Sequence, residues 1–331
     1  MATESHDHAA AIAVDPEAPD DNDSALGDDD LSATTSISSS VLDFRRENGR
    51  TYHAYKDGKY LISNDMAEND RLDLQHNLFL LTFDGRLGLA PPAKLDSKVG
   101  RVLDIGTGTG LWAIDFADEH PESQVLGFDL SPSQPSLVPP NVTFEISDLD
   151  DEWIYKTKFD YIHSRAMATS VSKWDELVQR SFEHLNPGGY LEFQEVDLWA
   201  KSNDGTFKEG SYLWRSTDYM EKAVKLAGRS FAPVTDLARL LTEAGFVDVV
   251  TEVFAWPTNP WPRDAKLKEL GIWSQENALM NLSGIYMAPL TRVHGFTPAE
   301  VEIFLLELRK EMKRRDIHTY WPVYVVYGRK P

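Results

Sequence analysis

Apolar and polar positions along the chain fall into blocks that read alternately as strands and helices. In RVLDI, Val102, Leu103 and Ile105 form a short buried strand, and LWAIDFADEH follows with Leu111, Trp112, Ile114 and Phe116 on one helical face. SQVLGFDL, VTFEISD and FDYIHSR are three further strands. A helix from about Trp174 to His184 leads through the turn Asn186-Pro187-Gly188-Gly189 into a fifth strand, YLEFQEVD. An amphipathic helix around Tyr212–Leu226 and another from about Thr235 to Ala244, stopped by Gly245, come next. FVDVVTEVFAW and IHTYWPVYVVYGRK supply the last two strands. Such alternation predicts an α/β fold built on a doubly wound, mostly parallel sheet.

The flanks read differently. Residues 1–43 are rich in Ala, Asp, Ser and Pro and predict a disordered acidic tail, because they bury too little apolar area to offset chain entropy. Residues 44–98 predict a helical cap, with Asn64 or Asp65 capping a helix that carries Met66, Leu72, Leu78, Phe79 and Leu81 and stops at Asp84-Gly85. The aromatic cluster Tyr52, His53, Tyr55 and Tyr60 upstream suits either packing of this cap or a lid over a ligand. Residues 99–331 form the main domain, interrupted by a helical insert at about 257–316. The insert starts where the sixth strand ends. The insert's last helix opens with Thr297-Pro298-Ala299-Glu300, a capping box with proline at the first helical position. Its basic end (Arg309, Lys310, Lys313, Arg314, Arg315) complements the helix dipole.

The chemistry concentrates between the first strand and the first helix, where Gly106, Gly108 and Gly110 follow Asp104. A strand, a glycine turn and a helix N-terminus make a nucleotide- or nucleoside-binding crossover. The dinucleotide pattern G-x-G-x-x-G would place its third glycine at Leu111, which counts against a nicotinamide oxidoreductase. Asp129 ends the second strand about twenty residues beyond the glycines, where a carboxylate accepts both ribose hydroxyls. Asp148 ends the third. Three acids on consecutive strand tips form a constellation far more specific than the glycines alone.

Composition narrows the class. The 331 residues contain no cysteine, which excludes disulfides and thiolate–zinc sites, and carry a formal net charge of −20. Eleven acidic and no basic residues lie in residues 1–44, so about half of that excess belongs to the tail. An acidic chain argues against nucleic acid as a partner. No run approaches eighteen apolar residues, and no signal pattern opens the chain, so neither a membrane nor secretion is expected and the setting is cytoplasmic or nuclear.

These residues carry a family likeness. From about Tyr52 to Pro331 the chain resembles the fungal LaeA-like (TAM-domain) methyltransferases, through TYHAYKDGKYLISNDMAENDRLDLQH, VLDIGTGTGLWAIDFAD, GFDLSPSQPSLVPPNVTFEISDLDDEW, FDYIHSR, LNPGGYLEFQEVD, NPWPRD and IHTYWPVYVVYGRK. The resemblance implies a class I methyltransferase fold, a Rossmann-like seven-stranded sheet with its last strand antiparallel, and S-adenosyl-L-methionine as cofactor. It also implies one of two roles in secondary metabolism. One is an enzyme acting on a small-molecule acceptor, and the other a regulator acting with velvet-type partner proteins.

On this reading Asp104 and the turn Gly106, Thr107, Gly108 and Gly110 hold the aminoacyl end of the cofactor. Asp129 with Leu130 holds the ribose, Asp148 with Leu149 the adenine, and Trp112 walls the site. His163, at the end of the fourth strand, is the candidate base. Tyr52, Tyr55, Arg165 and Glu195 are candidate lid or substrate residues. HSRAM offers one plausible metal ligand, so no metal is expected, and transfer to oxygen, nitrogen or acidic carbon stays open. In-line positioning contributes about 7–11 kcal/mol and a general base roughly 10²–10⁴-fold, so the lack of an obvious catalytic dyad is compatible with an enzyme. The leading expectation is a metal-independent methyltransferase of a small, apolar or aromatic metabolite.

Overall fold

A computed structural model describes residues 5–7, 44–53, 55, 56 and 60–331. Its first strands are short: β1 (Ser5–Asp7), β2 (Arg45–Glu47) and β3 (Arg50–Tyr52). β2 and β3 form a hairpin around Asn48-Gly49, with φ of 51° and 78°. That left-handed pair is what a two-residue hairpin turn matching strand twist requires. Helix α1 (Met66–Thr82) starts where Asp65 accepts the backbone N–H of Glu68. It stops before Asp84 and Gly85, both at positive φ.

The main domain then runs β4 (Arg101–Ile105), α2 (Leu111–Glu119), β5 (Gln124–Asp129), β6 (Val142–Ile146), β7 (Phe159–Arg165), α3 (Trp174–His184) and β8 (Leu185–Val196). After it come α4 (Tyr212–Leu226), α5 (Leu237–Glu243) and β9 (Val247–Pro257). The insert supplies α6 (Ala265–Met280), α7 (Leu282–Ala288) and α8 (Pro298–Met312), and β10 (Tyr320–Arg329) closes the chain.

The sheet order is β1-β9-β10-β8-β7-β4-β5-β6. β4 to β8 are mutually parallel, while β10 lies antiparallel between β8 and β9. The expected seven strands are all present with the last one reversed, the class I methyltransferase arrangement. β1 adds an eighth, its backbone parallel to Thr251–Val253. Apart from Ser5–Asp7, the tail expected at 1–43 lies outside the described residues.

The strands are buried on both faces. Leu103, Ile105, Ile162, Leu191 and Phe193 pack on one side with Leu177 of α3 and Leu241 of α5. Val102 and Tyr161 pack on the other with Trp112, Ala113 and Phe116 of α2. Each such aliphatic or aromatic side chain contributes about 1.5–3 kcal/mol by leaving water. Cap and insert share a core: Leu78 and Phe79 of α1 pack with Trp256 of β9 and Leu270 of α6. Leu213 of α4 joins Leu282, Leu305 and Leu308 of the insert. A helical layer therefore sits beside the carboxyl ends of the strands. No helix among the described residues is long and apolar enough to cross a membrane.

Candidate active site

β4 ends in a turn whose three glycines have φ of 67°, 58° and 85°. A Cβ at Gly110 would stand 2.5 Å from the Phe144 ring, and one at Gly106 would run into the Met167 side chain, so both positions require glycine for space as well as conformation. The turn is tied to the neighbouring strand: Thr107 N–H donates to Phe128 O at 3.0 Å and Gly108 N–H to Asp129 Oδ2 at 3.0 Å. Asp129 Oδ1 accepts from Ser131 N–H at 2.9 Å, and burial pushes its carboxyl above the usual range.

Asp104, 3% exposed, accepts the Thr107 hydroxyl at 2.6 Å on one oxygen and lies 2.7 Å from His163 Nδ1 on the other. The His163 ring stacks on Trp112 with centroids 3.7 Å apart and planes 5° apart, while Trp112 Nε1 donates to Leu87 O at 2.9 Å. The third acid, Asp148, is 1% exposed, accepts from Asp150 N–H and lies 3.1 Å from Lys56 Nζ.

These groups surround a cavity of about 140 Å³. Asp104, Gly106, Thr107, Gly108, Trp112, Asp129, Leu130, Asp148 and Leu149 all line it, together with His163 and Arg165. Gly110 sits behind the turn as the first residue before α2 and is not on the wall. Arg165 donates to His76 Nδ1 at 2.9 Å, which leaves Nε2–H of that imidazole to donate to Asp115 at 2.8 Å. Burial and the neighbouring guanidinium lower the His76 pKa despite Asp115, and burial draws Arg165 down to about 10, still a cation at neutral pH.

A second cavity of about 190 Å³ adjoins the first, with Tyr60, Leu72, Gln75 and Ala166 common to both walls. Its lining is mostly apolar and comes from distant segments: Ile62, Val196, Leu198, Leu213, Met220, Ile285, Leu308 and the indoles of Trp256 and Trp321.

Several expected positions differ from this geometry. His163, expected to face an acceptor, lines only the first cavity, where Asp104 and Trp112 hold its ring. Tyr52 is buried beneath the Arg292 guanidinium, 4.4 Å from its ring, and lines neither cavity. The Tyr55 hydroxyl lies 3.4 Å from Asp151 on the surface. Glu195 points under the loop after β7, accepting Met167 N–H at 3.0 Å. Its complete burial pushes its carboxyl up to about 8.

Tyr60, from the aromatic cluster expected as cap or lid, does line the wall, whereas the polar wall residues Arg71, Gln75 and Asn277 were not singled out from the sequence. A signal existed on α1. Glu68, Arg71, Leu72 and Gln75 share one helical stripe at spacings of three and four, and polar residues on the inward side of a helix mark a site.

A methyltransferase-domain model matches residues 74–251. Methyltransferase pytC of Aspergillus terreus is 38% identical over 322 residues, 97% of this chain and 96% of the relative. The secondary metabolism regulator LAE1 of Cochliobolus heterostrophus is 36% identical over 289 residues, 86% and 94% of the two chains. The chain belongs to the LaeA-like methyltransferases. Within this family the probable methyltransferase tdiE of Emericella nidulans is a further relative, 39% identical over 80% of this chain and 82% of its own.

As a family member the chain is an S-adenosylmethionine-dependent methyltransferase. The first cavity fits that cofactor on its own chemistry. Glu68, Asp104, Asp129 and Asp148 face Arg165 and Arg229 across it, which suits a ligand bearing a sulfonium, an ammonium and one carboxylate.

Proposed function

We propose that the chain methylates a small, largely apolar metabolite held in the second cavity. The observation that carries this reading is the pair of adjoining cavities, one polar on the strand tips and one apolar among cap and insert, joined at Tyr60, Leu72, Gln75 and Ala166. In the first, Asp104 and the turn from Gly106 to Gly108 would hold the aminoacyl end, Asp129 and Leu130 the ribose, and Asp148 and Leu149 the adenine. Bound S-adenosylmethionine supplies an electrophilic methyl carbon on a positively charged sulfur. The protein's part is to orient the acceptor in line with it and to exclude water, effects worth about 7–11 kcal/mol together.

His163 serves in this reading as a positioning residue that fixes the Asp104 carboxylate. A cytoplasmic or nuclear setting belongs to the same proposal. A second reading, regulation through velvet-type partner proteins, is favoured by the similarity to LAE1 over 86% of the chain.

Ala278, on the wall of the second cavity, separates the two readings experimentally. Ala278→Trp fills the space, so methyl transfer from labelled S-adenosylmethionine to a panel of phenolic and indolic metabolites should fall to background. Calorimetric affinity for S-adenosylmethionine should be unchanged. Undiminished turnover in this variant would remove the second cavity from the reaction, and turnover absent from both proteins would favour the regulator.

A further inference from the structure

The wall of the second cavity carries one charged side chain among the described residues, and it is positive: Arg71, 7% exposed. Its Nε and Nη2 donate to Glu68 at 3.0 and 2.7 Å, and its Nη1 donates to Asn277 Oδ1 at 2.9 Å. A guanidinium has five N–H groups, so one hydrogen on each terminal nitrogen is left over. Asn277 spends its oxygen on Arg71 and keeps its NH₂ for donation.

The ion pair is split between the cavities. Glu68 lines the first, its oxygens accepting from Arg71 and Asn281, and Arg71 lines the second. Tyr60, at the junction, is pushed well above the usual phenol range by burial and Glu68, so it is a neutral donor. The polar end of an otherwise apolar chamber is therefore rich in donors, one of them the guanidinium of a buried ion pair.

We infer that the acceptor binds ionised, as the oxyanion of an acidic hydroxyl or carboxylic acid, with its oxygen against Arg71, Asn277 and Tyr60 and its carbon skeleton among Leu213, Met220 and Trp256. The inference rests on the second cavity being the acceptor site. An ammonium acceptor would bury like charge against Arg71, and a neutral ether or alcohol would leave part of the donor set unmatched. An oxyanion is matched by charge and by number of donors, and charge-assisted hydrogen bonds are the strong ones. Its proton goes to bulk water on ionisation, so the wall supplies no base.

The test uses the full chain with S-adenosylhomocysteine and three probes: 4-nitrophenol, 4-nitrobenzoate and the neutral 4-nitroanisole. Absorbance of the phenolate against pH should show bound 4-nitrophenol ionising at lower pH than free. Either anion should bind about tenfold or more tighter than the anisole, and the tighter of the two identifies the oxygen acid preferred. Removing Arg71 alone would strand Glu68, so the comparison variant is Glu68→Gln with Arg71→Met, which retains an acceptor for Asn281 at that position. It should still bind 4-nitroanisole but lose the preference for anions. Equal affinity for anions and anisole in the wild type, or a preference that survives in the double variant, overturns the inference while leaving the cavity assignment standing. Binding of all three probes unaffected by Ala278→Trp, or no binding of any, overturns the assignment and the inference with it.

Discussion

The two cavities are built in opposite ways. The acid-bearing side of the first cavity hangs on strand tips and one turn, with Asp104, Gly106, Gly108, Asp129, Asp148 and His163 all within sixty residues of one another, and cap residues such as Glu68 and Leu72 close its other side. Backbone hydrogen bonds hold two of the acids: Gly108 N–H to Asp129, Ser131 N–H to Asp129, Asp150 N–H to Asp148. The second cavity draws on residues from Tyr60 to Trp321, and side-chain packing between cap, α4 and insert shapes it. A site framed by backbone geometry suits a ligand common to a family. One framed by packed side chains can be reshaped without disturbing the sheet.

That contrast is open to attack. Trp112→Ala removes the ring on which His163 stacks and the donor to Leu87, and should cost about 3–5 kcal/mol in urea unfolding, because a buried aromatic leaves a cavity behind. Tolerance of this change would mean that the first cavity does not depend on its floor. Asp129→Ala should weaken S-adenosylmethionine binding by about 1.5–3 kcal/mol, roughly 10–100-fold by calorimetry, while 4-nitroanisole binding stays as it was. A parallel loss of both affinities would show that the cavities are one unit.

Glu195 sharpens the comparison through pH. Burial raises its carboxyl from 4.5 to about 8. Between those values the unfolded chain has released this proton and the folded chain still holds it, so stability falls as pH rises, and the loss is complete above about 8. Glu195→Gln should remove that slope, read as urea midpoints across the range relative to wild type. An identical pH profile in the two proteins would mean that Glu195 ionises normally. The smallest effect expected is that of Lys56→Ala, whose partly exposed amino group bridges the buried Asp148 to the exposed Asp151. Cofactor affinity should change less than about fivefold, since such pairs contribute roughly 0–1 kcal/mol. A larger loss would make the bridge part of the first cavity.

Much of the fold and of the first cavity was legible because its rules are local. The glycine turn, the acids at strand ends, the helix at Tyr212–Leu226 and the capping box at Thr297 and Glu300 each depend on residues a few positions apart. The Asn48-Gly49 hairpin was equally local, and its turn dipeptide signals it without any structure. Other assignments failed for want of depth. An aromatic residue such as Tyr52 suits a lid or a core equally in sequence, and the choice was made by Arg292, 240 positions later. Glu195 stands one residue from the wall residue Val196, and strand alternation sends their side chains to opposite faces of the sheet.

The sequence by itself determined the alternation of strands and helices, the turn that only glycine tolerates, and the carboxylates at the strand tips, since periodicity and turn sterics act over a handful of residues. Only the tertiary structure decided which side chains line the second cavity. Arg71 lies more than 200 positions before Asn277 and Trp321, and they meet because α1 and the insert bury their apolar faces on the same end of the sheet.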